Sequence, residues 1–100
     1  MIEKLAFTKV QGQREEPDIT VYALSTCGFC KRAMKFLDAN SFSYRYIFLD
    51  NISIEAKNET KKELKAIYKA DIAFPFATLG KDKYLVGFIE ADWKLSLGVS

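Results

Sequence analysis

The apolar positions along this chain change period several times. Asp18 to Leu24 is β-branched and aromatic and predicts a strand, which Ser25 and Thr26 break. From Cys27 a helix is expected, because Cys30, Ala33, Met34 and Leu37 recur at helical spacing while Lys31, Arg32 and Lys35 lie off that stripe. Asn40 and Ser41 end it, and Ser43 to Leu49, dense in Tyr and Phe, predicts a second strand. Asp50 to Ser53 is a turn in which Ser53 can cap a helix carrying Glu55 in its first turn. That helix should run to about Ala70 with Ala56, Thr60, Leu64, Ile67 and Tyr68 inward. Pro75 opens an extended segment from Phe76 to Leu79. Gly80-Lys81-Asp82 turns the chain into a returning strand, Tyr84 to Phe88. A last helix carries Ile89, Trp93 and Leu97 on one face, with Trp93 as its core anchor.

The resulting order is β-α-β-α-β-β-α, an α/β fold. The helical crossover makes the first two strands parallel, the last two form an antiparallel hairpin, and helices should cover both faces of a four-stranded mixed sheet. Residues 1–17 form an N-terminal extension to the domain at 18–100. Within it, Leu5 to Val10 alternates Leu5, Phe7 and Lys9, which suits either a short added strand or an unanchored tail, and the polar stretch Gly12 to Asp18 separates it from the rest.

Composition narrows the function. At 49% hydrophobic, 100 residues can bury a core as one domain. Fifteen basic against 13 acidic residues leave a net charge of +2, so neither nucleic acid nor an anionic membrane is an expected partner. No apolar run is long enough to span a bilayer, and Met1 to Glu16 holds no apolar signal core, so a cytoplasmic location is expected.

The sharpest feature is the cysteine count. There are two, Cys27 and Cys30, and there is no His. In a reducing compartment such a pair is more often catalytic, redox-sensing or metal-bound than structural. Half a metal site and two plain core cysteines are the competing readings. A closed zinc site takes about four ligands, so zinc here would require acids or a second chain. Cys27 falls between a strand end and a helix start, where unpaired N–H donors and the positive end of the helix dipole favour a thiolate over a thiol. Lys31 and Arg32 add positive potential nearby. Cys30 lies one turn on and faces inward. This arrangement makes Cys27 the attacking thiol and Cys30 the resolving one in thiol–disulfide exchange. The Lys57, Lys61, Lys65, Lys69 row on the second helix, with Glu55, Glu59 and Glu63 beside it, is read as a solvated face in preference to a docking stripe for an acidic partner.

With these residues in view the chain resembles the glutaredoxins over roughly 18–97. The resemblance rests on Tyr22-Ala23-Leu24-Ser25-Thr26 leading into Cys27-Gly28-Phe29-Cys30, on Pro75 before the hairpin, and on Val86-Gly87-Phe88 before the last helix. It implies a thioredoxin-like fold, a cis Phe74–Pro75 bond beside Cys27, and a dithiol oxidoreductase acting on disulfide-containing proteins. Pro75 on its own reads as a strand-start device, and only the resemblance supports the cis bond. The resemblance also implies a substrate or glutathione surface built from Thr26, Phe29, Phe74, Pro75, Gly87, Phe88 and Glu90.

The chain departs from the family pattern in several places. Gly28-Phe29 replaces the usual Pro-Tyr, Leu24 stands where Lys is usual, Ala73-Phe74 replaces Thr-Val, and Phe88 replaces a second Gly before Glu90 and Ala91. Glutathione thereby loses several partners and keeps the backbone beside Pro75 and Glu90. The expectation is a monomer with no tightly bound cofactor, recycled by a disulfide reductase or by glutathione. Gly28-Phe29 also resembles the monothiol branch, in which Cys-Gly-Phe-Ser holds iron–sulfur clusters between two chains. An iron–sulfur carrier using Cys27 in a dimer is therefore the alternative, and Leu24 in place of a basic residue argues against it.

Overall fold

The computed structural model describes residues 2–99. After a short 3-10 turn at Ile2–Lys4 come β1 (Thr8–Val10), β2 (Ile19–Ala23), α1 (Gly28–Ala39), β3 (Tyr44–Phe48), a second 3-10 turn at Leu49–Asn51, α2 (Ile54–Tyr68), β4 (Phe76–Leu79), β5 (Lys83–Val86) and α3 (Glu90–Leu97). The strands form one sheet in the order β1-β3-β2-β4-β5. Only β2 and β3 run parallel, joined through α1 as a helical crossover requires.

All five residues of β2 are buried. A strand covered on both faces has no reason to alternate, which explains its unbroken Ile-Thr-Val-Tyr-Ala run. Ile19, Val21 and Ala23 pack with Ala33 and Leu37 of α1 and Trp93 and Leu97 of α3. Tyr22 joins Ile47 and Phe76 beneath Leu64 of α2 on the other face. The start of α2 follows the chemistry of the residue before it. Ser53 caps α2 by accepting from the Ala56 N–H at 3.1 Å, and Thr60, buried inside that helix, donates to the Ala56 carbonyl at 2.7 Å.

The sheet has the four expected strands and a fifth, the short added strand that Leu5 to Val10 suited as one of two readings. The fifth is β1, paired antiparallel to β3 with Thr8 opposite Tyr46 and Val10 opposite Tyr44. Three residues are too few for a period-2 pattern to declare itself, so β1 depends on the β3 edge. The chain after it is anchored as well. The Arg14 N–H donates to the Ser41 carbonyl and the Ser43 N–H to the Arg14 carbonyl, both at 2.8 Å. The Gly12 N–H donates to Ser43 Oγ at 2.8 Å.

Several side chains depart from the expected pattern. Ile67 is 57% exposed and Ile89 60% exposed, although helical spacing placed both inward. Ile67 lies beyond Leu64 near the end of α2, and Ile89 precedes α3 as its N-cap, outside the helix. In α1 Phe36 is buried where the stripe had named Met34, which is half-buried. β5 stops at Val86 rather than Phe88 because Gly87 turns the chain at φ 73°. The Glu16–Pro17 bond is cis, a feature no sequence pattern announced.

Gly12 is the tightest point of the N-terminal segment. A Cβ there would lie 2.4 Å from the Ser41 carbonyl oxygen and 2.6 Å from Phe42 backbone atoms. Because those neighbours are backbone, Gly12→Ala is expected to destabilise the protein by about 1–3 kcal/mol, the usual range for overpacking. Urea unfolding of the two proteins checks this, and equal midpoints would show that the extension contributes nothing at that contact.

Candidate active site

Where β2 ends, Ser25 and Thr26 lead into Cys27, which caps α1 in extended geometry at φ −88°, ψ 116°. Its sulfur accepts the Cys30 N–H at 3.1 Å, one of the donors a helix start leaves unpaired. The Cys27 N–H donates to the Leu24 carbonyl at 3.2 Å and closes the turn that presents the residue. Cys27 is half-buried, Cys30 is wholly buried among the residues under α1 and α3, and both thiols are free. Burial, followed by the interaction with Cys27, pushes the Cys30 thiol up to about 12. Cys30 therefore keeps its proton at neutral pH while Cys27 faces solvent.

The Phe74–Pro75 bond is cis, as the resemblance implied. The Phe74 carbonyl lies 3.9 Å from Cys27 Sγ and accepts from its thiol. Pro75 in turn is tied to the turn after β5, its carbonyl accepting the Gly87 N–H at 2.8 Å, and the Gly87 carbonyl accepts Trp93 Nε1–H at 3.0 Å. A continuous chain of contacts thus runs from the buried Trp93 through Gly87 and Pro75 to the sulfur of Cys27.

The other expected site residues are placed less uniformly. Thr26 is exposed. Phe29 is 58% exposed, with the Arg32 guanidinium 5.5 Å from its ring centroid. Phe88 turns inward, its ring 5.3 Å from Trp93 and 5.8 Å from Phe36. Glu90 opens α3 and pairs with Lys94 one turn along at 3.2 Å. Leu24, which stands where the family pattern has a Lys, packs its side chain against the apolar cluster under α2.

One participant was missed by the sequence reading. Asp50 accepts the Ser25 N–H at 2.9 Å on one carboxylate oxygen and the Ser25 hydroxyl on the other. These two bonds, the hydroxyl first, hold the Asp50 carboxyl below the usual carboxylate range. The signal lies in the parallel register. Ala23 is opposite Phe48, and the same register carried two residues further sets Ser25 against Asp50. The carboxylate latches the loop that delivers Cys27 to the helix start.

Sheet, helices and thiol pair together define a redoxin with a thioredoxin-like fold. The chain belongs to the glutaredoxin family, whose sequence model matches residues 19–75. Among solved structures it is similar to the glutaredoxin of Methanosarcina mazei, at 27% identity over 95% of this chain and 90% of that one with a TM-score of 0.77. It is also similar to the methanoredoxin of Methanosarcina acetivorans, at 31% identity over 87% and 90% with a TM-score of 0.74. A glutaredoxin of Archaeoglobus fulgidus matches at 26% identity over 86% and 98% with a TM-score of 0.71. No curated protein matches the sequence. No helix among the described residues is long and apolar enough to cross a membrane.

The latch gives a pH-dependent expectation. A carboxyl whose folded pKa is depressed contributes stability that is present above its unfolded pKa and is lost as pH falls through the folded value. Asp50→Asn should therefore speed hydrogen exchange at the Ser25 amide at neutral pH. The difference from wild type should shrink as the pH drops below the ordinary carboxylate range. Matching exchange rates at pH 7 would mean that the Asp50 contact does not order the loop.

Proposed function

We propose that this protein reduces disulfides in other proteins through Cys27 and Cys30. The observation that carries this reading is the pairing of a half-buried sulfur, held on the Cys30 N–H at 3.1 Å, with a second thiol buried one turn later. The Cys27 thiolate attacks one sulfur of a substrate disulfide, whose S–S bond breaks as the mixed disulfide forms and the first substrate thiolate leaves to take up a proton. Cys30 then gives up its proton and attacks Cys27 Sγ. The second substrate thiolate is released, and the Cys27–Cys30 disulfide holds the oxidising equivalents. Two electrons and two protons from a reductant restore the dithiol. Burial, and then the contact with Cys27, keeps the proton on Cys30 until it attacks the mixed disulfide. The Phe74 carbonyl of the cis Phe74–Pro75 peptide lies beside the sulfur, and in this reading the exposed Thr26 and Phe29 meet the substrate. A reducing compartment, the cytoplasm, suits a chain that carries these two thiols and no other cysteine.

The test of roles is a trapping experiment. Cys30→Ser should accumulate a mixed disulfide on Cys27, whereas Cys27→Ser should form none and lose turnover altogether. In the reduced protein Cys27 should be alkylated well before Cys30 at neutral pH. Faster labelling of Cys30, or trapping through Cys30, would reverse the assignment. An iron–sulfur chromophore on anaerobically purified protein, with no disulfide turnover, would replace this reading by that of a cluster carrier.

The reductant is inferred from the surroundings of Leu24. Holding glutathione takes a cation for a carboxylate, and Leu24 supplies an apolar side chain turned into the core. A charge-assisted hydrogen bond is worth roughly 1.5–3 kcal/mol, so its loss weakens binding by about ten- to a hundredfold. Recycling by a protein disulfide reductase is therefore expected to outpace recycling by glutathione. Reduction of the Cys27–Cys30 disulfide is to be followed with each reductant, and Leu24→Lys should raise the glutathione rate selectively. Saturable turnover of the unaltered protein by glutathione at low millimolar levels would restore glutathione as the donor.

A further inference from the structure

The α2-covered face of the sheet is apolar over only part of its length. Ile47, Tyr22 and Phe76 make one rung across β3, β2 and β4, and it lies beneath Leu64. The next rung, towards the start of β2 and so away from Cys27, is Arg45, Thr20, Thr78 and Tyr84. There α2 is ending, and Lys81 of the β4–β5 turn closes the other side. Arg45, Thr20 and Thr78 of this rung, the end of α2, Ile2 and Lys81 line a cleft of about 260 Å³.

Its polar groups are arranged and unspent. Tyr22 is 2% exposed and Thr78 7% exposed, and both line the cleft. Neither hydroxyl makes a hydrogen bond to any described residue. Both oxygens reach the cleft's solvent, since no fully enclosed side-chain oxygen or nitrogen among the described residues lacks a partner. Arg45 is held in place by Nε donating to Thr20 Oγ1 at 2.8 Å and by its guanidinium lying 4.2 Å over the Phe7 ring. That fixes the plane of the fork and leaves its two terminal nitrogens without a carboxylate among the described residues. Burial raises Tyr22 to about 12, which keeps its hydroxyl a donor at any ordinary pH. Asp18 stands at the rim, and Glu63, which accepts the Ile2 N–H at 3.1 Å, bears on Tyr22 from α2. These acids oppose a multiply charged anion. Ile67 and Tyr68 give the cleft an apolar wall, and Ile67 is the 57% exposed side chain that helical spacing had placed in the core.

We propose that this cleft binds a small organic monocarboxylate. The planar carboxylate lies against the free edge of the Arg45 guanidinium and accepts from the Tyr22 and Thr78 hydroxyls, and its ring or alkyl body rests on Ile67 and Tyr68. Bidentate pairing with a fixed guanidinium suits a carboxylate, and the apolar wall rewards an organic body that a bare inorganic ion lacks. The site lies at the opposite end of β2 from the thiols and is independent of the dithiol reading.

The test uses the full reduced chain with benzoate and inorganic phosphate as probes. Benzoate should produce saturable millimolar shifts of the Thr20 and Thr78 amide resonances, and phosphate should produce much weaker ones. Thr78→Val preserves shape and removes only the hydroxyl, so it should weaken benzoate several-fold. Arg45→Met should weaken it by about tenfold or more, the scale of a lost charge-assisted bond. Neither change should alter disulfide turnover at Cys27, which also reports that the variants are folded. The absence of saturable benzoate shifts, binding that survives Thr78→Val unchanged, or phosphate binding as tightly as benzoate would each overturn the proposal. If Arg45→Met does not fold, the Thr78→Val result decides.

Discussion

Covering β2 on both faces is the constraint from which the rest of the molecule follows. A strand with no solvent-facing side needs helices above and below, and a parallel neighbour can be reached only through a crossover. α1 is that crossover, so it must begin where β2 ends. The loop between them is four residues, Leu24 to Cys27, and the last of these caps the helix. The Cys27 sulfur thus sits where a fully buried strand hands over to a helix whose first N–H groups have no partner within the helix. The same burial draws Cys30, one turn further along, under α1 and into the core.

Parallel pairing has a second consequence. β2 and β3 end side by side, so the polar residues just past both ends meet, and Asp50 takes hold of Ser25. From the opposite side, antiparallel β4 begins beside the end of β2, which brings the Phe74–Pro75 peptide to the sulfur. The site is therefore assembled from three strand ends. Trp93 braces it from behind through Gly87 and Pro75, its indole spending its one donor on the Gly87 carbonyl. An apolar side chain of similar bulk would fill the core and release that turn.

The two ends of β2 carry different chemistry on the same strand framework. At its end, a cysteine pair lies between a helix start and a cis peptide. At its beginning, near the last turn of α2, the next rung is built of Arg, Thr and Tyr instead of Ile and Phe.

Much of this was written locally. The order of elements, the parallel first pair, the terminal hairpin, the Ser53 cap and the roles implied by Cys27 at a strand-to-helix junction all follow from short-range patterns, because period, capping and turn chemistry act over a few residues. What sequence left open depended on distant segments. Thr8–Val10 is a strand only because the β3 edge accepts it, and Gly12 is required only because Ser41 and Phe42 crowd it. Ile67 and Ile89 have the right spacing for the core and miss it because one lies near a helix end and the other lies outside its helix. Asp50 reads as a turn residue until the register sets it against Ser25. Phe88 was expected in the ligand surface, and tertiary packing turns its ring onto Phe36 and Trp93. The chain by itself determined the order of elements and placed the Cys27–Cys30 pair at a strand-to-helix junction. The folded sheet decided which neighbours they meet, since register and helix reach are set by the packing of the whole molecule.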